Sequence, residues 1–129
     1  MTFDYMSHFP IPPLVMVVDD DVIARMGATD MFRHAGYEVI EAGCASEALR
    51  SFQSNVNISL LFTDISMPGV MDGADLAVEI AAHWPLVGVI ATSGLPRPGN
   101  LPKRMCFHDK PYEPAAVLLQ AKAMTAFRH

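Results

Sequence analysis

The stretch ISLLFTDISMPG, residues 58–69, decides the fold. It begins with a run of apolar residues, of the kind that forms a strand buried on both faces of a parallel sheet. The run ends at Asp64, and Pro68 and Gly69 follow in a segment typical of a loop. In open α/β sheets, ligands bind outside the carboxyl ends of the strands. The stretch therefore predicts a buried strand that presents a carboxylate at that edge of the sheet.

Three other predicted strands also lead into polar residues. These strands are residues 14–18, 86–91 and 104–108. The first runs into the triple aspartate at 19–21, the second into Thr92, and the third towards Lys110. We therefore expect carboxylates, a hydroxyl and an ammonium at one edge of the sheet. Because clustered carboxylates resist ionising together, such a site favours a divalent cation.

These segments resemble the receiver domain of two-component response regulators. The resemblance rests on VMVVDDD, LLFTDISMPG, MDG, VIATSG and DKP, in that order, and it covers about residues 14–127. It implies a flavodoxin-like, doubly wound α/β fold with a five-stranded parallel sheet in the order 2-1-3-4-5. The alternation of strands and helices also predicts a parallel sheet with right-handed crossovers. We expect a flexible N-terminal tail at 1–13 and a receiver domain at 14–129.

Helices are predicted between the strands from apolar spacing and capping residues. Helices are expected at 21–35, 45–53 and 72–83 and from about 114 onwards, and a further strand at 38–42. The first helix is expected to begin at an aspartate cap and to end at Gly36. Its Ile23, Gly27, Met31 and Ala35 fall on one face, and small residues at 27 and 28 would let the helix lie close to the sheet.

The segment SGLPRPGNLP, residues 93–102, departs from the receiver pattern. Receivers carry a fourth helix here, but this segment contains three prolines and two glycines. Proline removes a backbone donor and clashes with the preceding helical turn. We therefore expect the fourth helix to be short, irregular or missing, with less cover over the sheet near Phe107.

The resemblance assigns a role to each carboxylate at the polar edge. Asp64 is the phosphoacceptor, since a carboxylate can attack phosphorus and carry the phosphoryl group. The implied ligands of Mg²⁺, or Mn²⁺, are Asp19, Asp20, Asp64 and the backbone carbonyl of Ser66. The triple aspartate leaves the register open by one residue. Asp20 is favoured as the direct ligand, Asp19 as a ligand through water, and Asp21 as the helix cap.

Three further residues are assigned through the same resemblance. Lys110 would pair with a phosphoryl oxygen as a point charge. Thr92 would donate its hydroxyl to the phosphoryl group, and Phe107 would turn inward when Thr92 moves. The plainer interpretation of Phe107 is an ordinary core phenylalanine. If Phe107 does turn inward, phosphorylation of Asp64 would be the local change in charge that drives a two-state change in packing.

Composition limits the other functional classes. The 129 residues suit one domain, and a net charge of −5 argues against nucleic-acid binding. The N-terminus does not resemble a signal peptide, and no apolar run approaches the roughly 20 residues of a membrane span. Cys44 and Cys106 lack metal-binding spacing, so we expect them to be buried and reduced, in a cytoplasmic protein.

The sequence thus predicts a stand-alone receiver, not an enzyme. A histidine kinase or phosphotransfer protein would phosphorylate Asp64, and output would be a protein contact or a phosphate sink, from a monomer or weak dimer. The chain ends soon after its final helix, which we expect to leave no room for an output domain. One alternative is a phosphorylation-independent interaction module of the same fold. Another is a phosphatase or phosphotransferase, although no cap insertion or DxD motif accompanies Asp64.

Overall fold

The computed structural model describes residues 11–54, 57–66, 72–96, 99, 101 and 105–125. The strands are β1 (Leu14–Val18), β2 (Glu38–Ala42), β3 (Ile58–Asp64), β4 (Gly88–Ser93) and β5 (Cys106–Asp109). The helices are α1 (Val22–His34), α2 (Ala45–Ser54), α3 (Gly73–His83) and α4 (Pro114–Thr125). Most of the predicted N-terminal tail, residues 1–10, lies outside the described residues, and 11–13 have no regular structure.

The five strands form one parallel sheet in the order β2-β1-β3-β4-β5, as predicted. Because all strands run in the same direction, their carboxyl ends meet at one edge. The central strand is β3, and Asp64 at its end pairs in register with Thr92 of β4. The topology therefore places Asp64 in the middle of the polar edge.

Both faces of the sheet are covered, and side chains alternate between them. Met16, Leu61 and Val89 face the core beneath α2 and α3, where Phe52 and Ile80 are buried. The opposite core lies beneath α1 and α4. Its buried residues include Val15, Val17, Phe32, Leu60, Phe62, Ile90 and Val117. This two-sided burial explains why the central strands are apolar almost throughout.

Helix α1 confirms the predicted cap and part of the predicted face, since Met31 and Ala35 pack against the core but Ile23 does not. The Asp21 side chain accepts hydrogen bonds from the amides of Ile23 and Ala24. The buried residues of the helix are Ala28, Thr29 and Phe32, whereas Ile23 is 76% exposed. The Phe32 ring packs edge-on against Phe62 at 5.2 Å. Since burying this aromatic ring contributes more than burying Ile23, it fixes the rotation of the helix.

The predicted position of β4 was wrong by two residues. The apolar run suggested 86–91, but the strand is Gly88–Ser93, and Leu86 lies 95% exposed in the preceding turn. Pairing with β3 and β5 extends the strand through its polar end, since Ser93 pairs with Asp109. Strand β5 likewise begins at Cys106, and residue 104 lies outside the described residues. Thr92 and Ser93 are therefore strand residues, held by the ladder.

No described residue between β4 and β5 is helical, as the prolines predicted. These residues are 94–96, 99, 101 and 105, and the rest of the connection lies outside the described residues. Leu101 and Met105 are nevertheless buried, and they pack in the core beneath α2 and α3. Phe107 remains half-buried against the same core. Two side chains thus supply part of the cover that a helix would give.

Two expectations from composition, on the cysteines and on membrane-spanning segments, can be compared with the structure. Cys44 and Cys106 are both free thiols, but they are half-buried rather than buried. Cys44 immediately precedes α2, and Cys106 opens the edge strand β5, so neither position is enclosed on all sides. Among the described residues, no helix is both long and apolar enough to cross a membrane.

Candidate functional site

Three carboxylates meet at the carboxyl edge of the sheet. Asp19 and Asp20 follow β1, and Asp64 ends β3. Each offers an oxygen, and these three oxygens lie within 4.8 Å of one another. Asp19 and Asp64 are buried, while Asp20 is exposed at the rim. The predicted acidic cluster is therefore assembled from two adjacent strands.

Lys110 bridges the two buried carboxylates. Its Nζ donates to Asp64 Oδ2 at 3.1 Å and to Asp19 Oδ2 at 3.2 Å. Burial alone would lower the pKa of the Lys110 ammonium, but its hydrogen bonds and charge pairing with Asp64 and Asp19 together raise that pKa. The backbone amide of Lys110 donates to the Ser93 carbonyl at 2.8 Å, which ties its loop to β4. The ammonium is thus favoured in its charged form and held against the Asp64 carboxylate.

Asp19 is held from several sides. Its Oδ1 accepts from the Asp21 amide at 2.9 Å, while Oδ2 accepts from Lys110. Burial raises the pKa of the Asp19 carboxyl, although the Asp21 amide and the Lys110 charge act in the opposite direction. Arg25 Nη1 donates to the Asp19 carbonyl at 2.8 Å, and Arg25 Nε pairs with Glu41 at 3.1 Å. The acidic loop is therefore anchored to β2.

Asp64 is held through its backbone and its side chain. The Ser66 amide donates to Asp64 Oδ1 at 2.9 Å. Gly73, the first residue of α3, lies so close that a Cβ atom there would be 1.9 Å from the Asp64 carbonyl oxygen. Asp72 fixes the start of this helix through a capping box with Asp75. The sequence motif MDG thus joins a helix cap to a close backbone approach.

The remaining predicted residues divide into two groups. Thr92, 1% exposed, lies beside Asp64 in the ladder, and Ser66 lies two residues beyond it in the loop. These two residues share the polar edge with the aspartates and Lys110. Phe107 does not reach that edge, because it pairs with Ala91 one step back in the sheet and packs into the core.

The acidic cluster fits a small divalent cation. Three carboxylates face one ammonium, so negative charge is in excess, and their oxygens lie close enough to share an ion. Magnesium takes oxygen ligands at about 2.0–2.1 Å and keeps several waters beside one or two carboxylates. A rim with one exposed aspartate leaves space for those waters. The donor set therefore suits Mg²⁺ better than a metal that prefers nitrogen or sulfur.

An apolar groove opens directly beside the site. It has a volume of about 620 Å³, and Asp19, Thr92 and Lys110 line its polar end. Its apolar wall comes from α1, β3 and the loop after β5, through Gly27, Ala28, Met31, Phe62 and Tyr112. On α1, Val22, Ile23 and Met26 are exposed by 52%, 76% and 54%. The acidic edge of the sheet thus continues into an apolar surface.

Sequence reasoning did not identify Arg25, Gly73 or Ser93 as parts of this site. Arg25 and Glu41 lie on different elements, and nothing in their spacing indicates that they meet. Gly73 was noticed only as part of the MDG motif. Ser93 was grouped with the irregular segment, although it ends β4 and is 1% exposed. Their roles depend on contacts between elements that are distant in sequence.

Known proteins with related sequences are consistent with this geometry. The family model of the response regulator receiver domain matches residues 15–98. Nodulation protein W from Bradyrhizobium diazoefficiens is 32% identical over 117 residues, which cover 87% of this chain and 51% of that protein. The transcriptional regulatory protein PdtaR from Mycobacterium tuberculosis is 36% identical over 73 residues, covering 56% of this chain and 35% of that protein. The chain thus spans about half the length of the first relative and less of the second.

Solved structures give the same assignment. A CheY-like receiver domain protein from Methanospirillum hungatei superposes with a TM-score of 0.81 at 25% identity, covering 90% of this chain and 95% of that one. The response regulator StyR superposes with a TM-score of 0.76 at 29% identity, covering 90% and 60%. The chain belongs to the response regulator receiver domain family of two-component systems. The matching family model describes a receiver domain rather than a catalytic enzyme.

Proposed function

We propose that this receiver accepts a phosphoryl group on Asp64 from a histidine kinase or phosphotransfer protein in a magnesium-dependent reaction. The main observation that supports this proposal is that Asp64 forms an ion pair with Lys110 and lies in one cluster with Asp19 and Asp20. The phosphorylated form would act in the cytoplasm through a protein contact, or serve as a phosphate sink. The protein would be a monomer or weak dimer and would not turn over an external phosphoester.

The chemistry follows from the charges at the edge. An Asp64 oxygen forms a bond to phosphorus while the bond from phosphorus to the donor nitrogen breaks, and the electron pair of that bond returns to the donor. Lys110 already contacts Asp64 Oδ2, so its ammonium can turn to a transferred phosphoryl oxygen with little movement. Bound Mg²⁺ would neutralise the remaining charge of the phosphoryl oxygens. Thr92 would then donate its hydroxyl to the phosphoryl group.

The proposed metal ligands differ in what already occupies their oxygens. Both Asp19 oxygens accept hydrogen bonds, from the Asp21 amide and from Lys110. This favours a role for Asp19 through water. The Asp64 oxygens also accept, from the Ser66 amide and Lys110, so Asp64 would become a direct ligand as Lys110 turns towards the phosphoryl group. Asp20 is exposed at the rim, so its carboxylate can serve as a direct ligand, together with Asp64 and the Ser66 carbonyl. Asp21 caps α1, which removes it from the proposed ligand set.

Replacing Asp20 by asparagine should weaken magnesium binding. The change removes a charged oxygen ligand, and we expect the magnesium concentration for half-maximal phosphorylation to rise about tenfold or more. Titration with acetyl phosphate as donor measures this. The matched control is Asp21→Asn, since asparagine also caps helices well. An equal effect of Asp21→Asn, with none from Asp20→Asn, would shift the ligand register by one residue.

A phosphodonor protein must approach Asp64 across the rim next to α1. The exposed residues Val22, Ile23 and Met26 form an apolar surface there, and the apolar groove lies beside it. The histidine that carries the phosphoryl group is surrounded by the surface of its own protein. When the two proteins bind, that surface must also find a complementary surface on this receiver. We therefore assign this surface to the phosphodonor protein, which would place an apolar helix along α1.

Replacing Ile23 by glutamate should slow phosphotransfer from a protein donor without slowing phosphorylation by a small-molecule donor. Because Ile23 is 76% exposed, the change should leave the fold intact. We expect phosphotransfer from the cognate protein donor to slow about tenfold or more, the usual range for an interface anchor. Phosphorylation by acetyl phosphate should stay within about twofold, since Ile23 touches none of the reacting groups. Both rates can be followed by intact-protein mass.

The control variant for this surface is Leu86→Glu. Leu86 is 95% exposed and precedes β4, so it lies at the opposite edge of the sheet. It adds the same charge to an exposed apolar position. Equal slowing in both variants would assign the effect to net charge rather than to docking along α1.

The central test of the function is phosphorylation of the unmodified chain. Incubation with acetyl phosphate and magnesium should add one phosphoryl group, and chelation of the metal should prevent the addition. Binding of a partner that is unchanged by phosphodonor, with no phosphoryl group added under any donor, would instead support a phosphorylation-independent interaction module.

A further inference from the structure

A continuous chain of hydrogen bonds runs from Asp64 to the segment that follows β4. The Ser66 amide donates to Asp64 Oδ1 at 2.9 Å. The Ser66 hydroxyl lies 2.9 Å from the Ser93 hydroxyl. The Leu95 amide then donates to Ser93 Oγ, also at 2.9 Å. Two serine hydroxyls therefore connect the acceptor carboxylate to the backbone after β4.

Ser93 is well placed to transmit a displacement. It is 1% exposed. Its carbonyl accepts from the Lys110 amide at 2.8 Å and its hydroxyl contacts the Ser66 hydroxyl, so it is tied to the loops after β5 and β3. Leu95, in contrast, is 62% exposed and lies outside any regular element. Pro96 follows and has no amide hydrogen to donate. The bond to Ser93 Oγ is therefore the anchor at the start of this segment.

We propose that Ser93 is a positioning residue that couples the state of Asp64 to the backbone at Leu95. The coupling runs through the Ser66 hydroxyl and does not pass through the Thr92 hydroxyl. It rests on the proposed function, because the event that it senses is phosphorylation of Asp64. The expected response is release of the Leu95 amide.

Release of the Leu95 amide, rather than tighter binding, is expected from the change in charge at Asp64. Phosphorylation turns the carboxylate into an acyl phosphate. One oxygen becomes the bridging oxygen to phosphorus and the other a neutral carbonyl oxygen, so the Ser66 amide loses its contact with a charged oxygen and is held less strongly. The loop that carries Ser66 also holds a proposed metal ligand, its carbonyl, so it moves as ligands are taken up. Once the Ser66 hydroxyl leaves Ser93, the Ser93 hydroxyl can turn away from Leu95. Small displacements are amplified where a segment has few other bonds.

Amide exchange at Leu95, measured by NMR, tests this coupling. In the unaltered chain, acetyl phosphate with magnesium should speed exchange at Leu95 about tenfold, the loss expected for roughly one hydrogen bond. Ser93→Ala should make exchange fast in both states. Ser66→Ala keeps the Ser66 amide and carbonyl but removes the contact with Ser93. It should therefore make exchange at Leu95 as fast without a phosphoryl group as it is in the phosphorylated unaltered chain, and unresponsive to phosphorylation. A merely structural role for Ser93 would not predict that a change at Ser66, whose hydroxyl contacts Ser93 and not the Leu95 amide, speeds exchange at Leu95 and removes its response to phosphorylation.

The control is Ser51→Ala, which removes a hydroxyl that bonds only within α2. It should respond as the unaltered chain does. Intact mass is recorded on every sample, so that lack of a phosphoryl group is separated from lack of coupling. If the unaltered chain takes up no phosphoryl group, the proposed function fails and the coupling fails with it. If it is phosphorylated but Leu95 does not respond, or responds equally in Ser66→Ala, the coupling alone is overturned.

Discussion

Replacing Asp64 by asparagine should abolish phosphorylation by acetyl phosphate, even at saturating magnesium. An amide oxygen is a poor nucleophile compared with a carboxylate, and the change also removes one negative charge from the proposed metal site. Loss of an attacking group commonly costs about a thousandfold or more in rate. Intact mass after extended incubation should show no added phosphoryl group. Asparagine matches the carboxylate in shape, but it has a single oxygen, so only one of the two donors, the Ser66 amide or Lys110, keeps its acceptor.

The matched control is Asp30→Asn, which makes the same chemical change at an exposed position of α1. It should be phosphorylated at the rate of the unaltered chain. Labelling of Asp64→Asn to the same extent would mean that another residue is the acceptor. In that case the cluster of Asp19, Asp20 and Asp64 would need a different function.

The parts of the fold that the sequence predicted well are those set by local chemistry. Strands β1 and β3 are apolar runs that end abruptly in aspartate, so their ends were correctly placed. Asp21 was predicted as the cap of α1 because its side chain can satisfy free amides at the helix start, and it does so. The order of the strands came from the resemblance, since strand order depends on contacts that periodicity does not report.

The errors arose where tertiary packing overrode the local pattern. The predicted face of α1 included Ile23, yet Phe32 and Ala28 face the core instead. The start of β4 was predicted from Leu86, but the strand follows hydrogen-bond pairing and continues to Ser93. Both differences bear on the proposals made above. Ile23, two residues after Asp21, lies on the surface, and Ser93 belongs to β4 rather than to the irregular segment.

The supporting contacts of the site were beyond sequence reasoning for a related reason. Arg25 reaches the Asp19 carbonyl, and the Ser66 and Ser93 hydroxyls meet across two loops. Each contact joins residues from different elements of the fold. Arginine and serine are mostly exposed in proteins, so their presence alone does not indicate a contact. A pattern in the chain cannot distinguish such a residue from an ordinary surface one. The aspartates and Lys110, in contrast, follow strands directly, so their meeting at one edge of the sheet could be predicted.

Replacing Gly73 by alanine should damage both stability and phosphorylation. The added Cβ would lie 1.9 Å from the Asp64 carbonyl oxygen and 2.5 Å from the Ile65 Cα, and backbone atoms of a central strand cannot easily yield. We expect a loss of about 3 kcal/mol in the free energy of unfolding, the upper part of the range for overpacking. Urea denaturation measures it. Protein that still folds should be phosphorylated slowly, because relief of the clash must move the backbone of Asp64.

The chain provides its own control in Gly27→Ala. Gly27 also lies in a helix, but no atom lies within 4 Å of the position that its Cβ would take. Alanine there should raise the free energy of unfolding by about 0.5–1 kcal/mol, because glycine loses more conformational freedom on folding. Opposite signs for the two substitutions would establish that the close approach to Asp64 is responsible. A Gly73→Ala protein that is as stable and as readily phosphorylated as the unaltered chain would show that α3 can shift away, and that Asp64 does not depend on this contact.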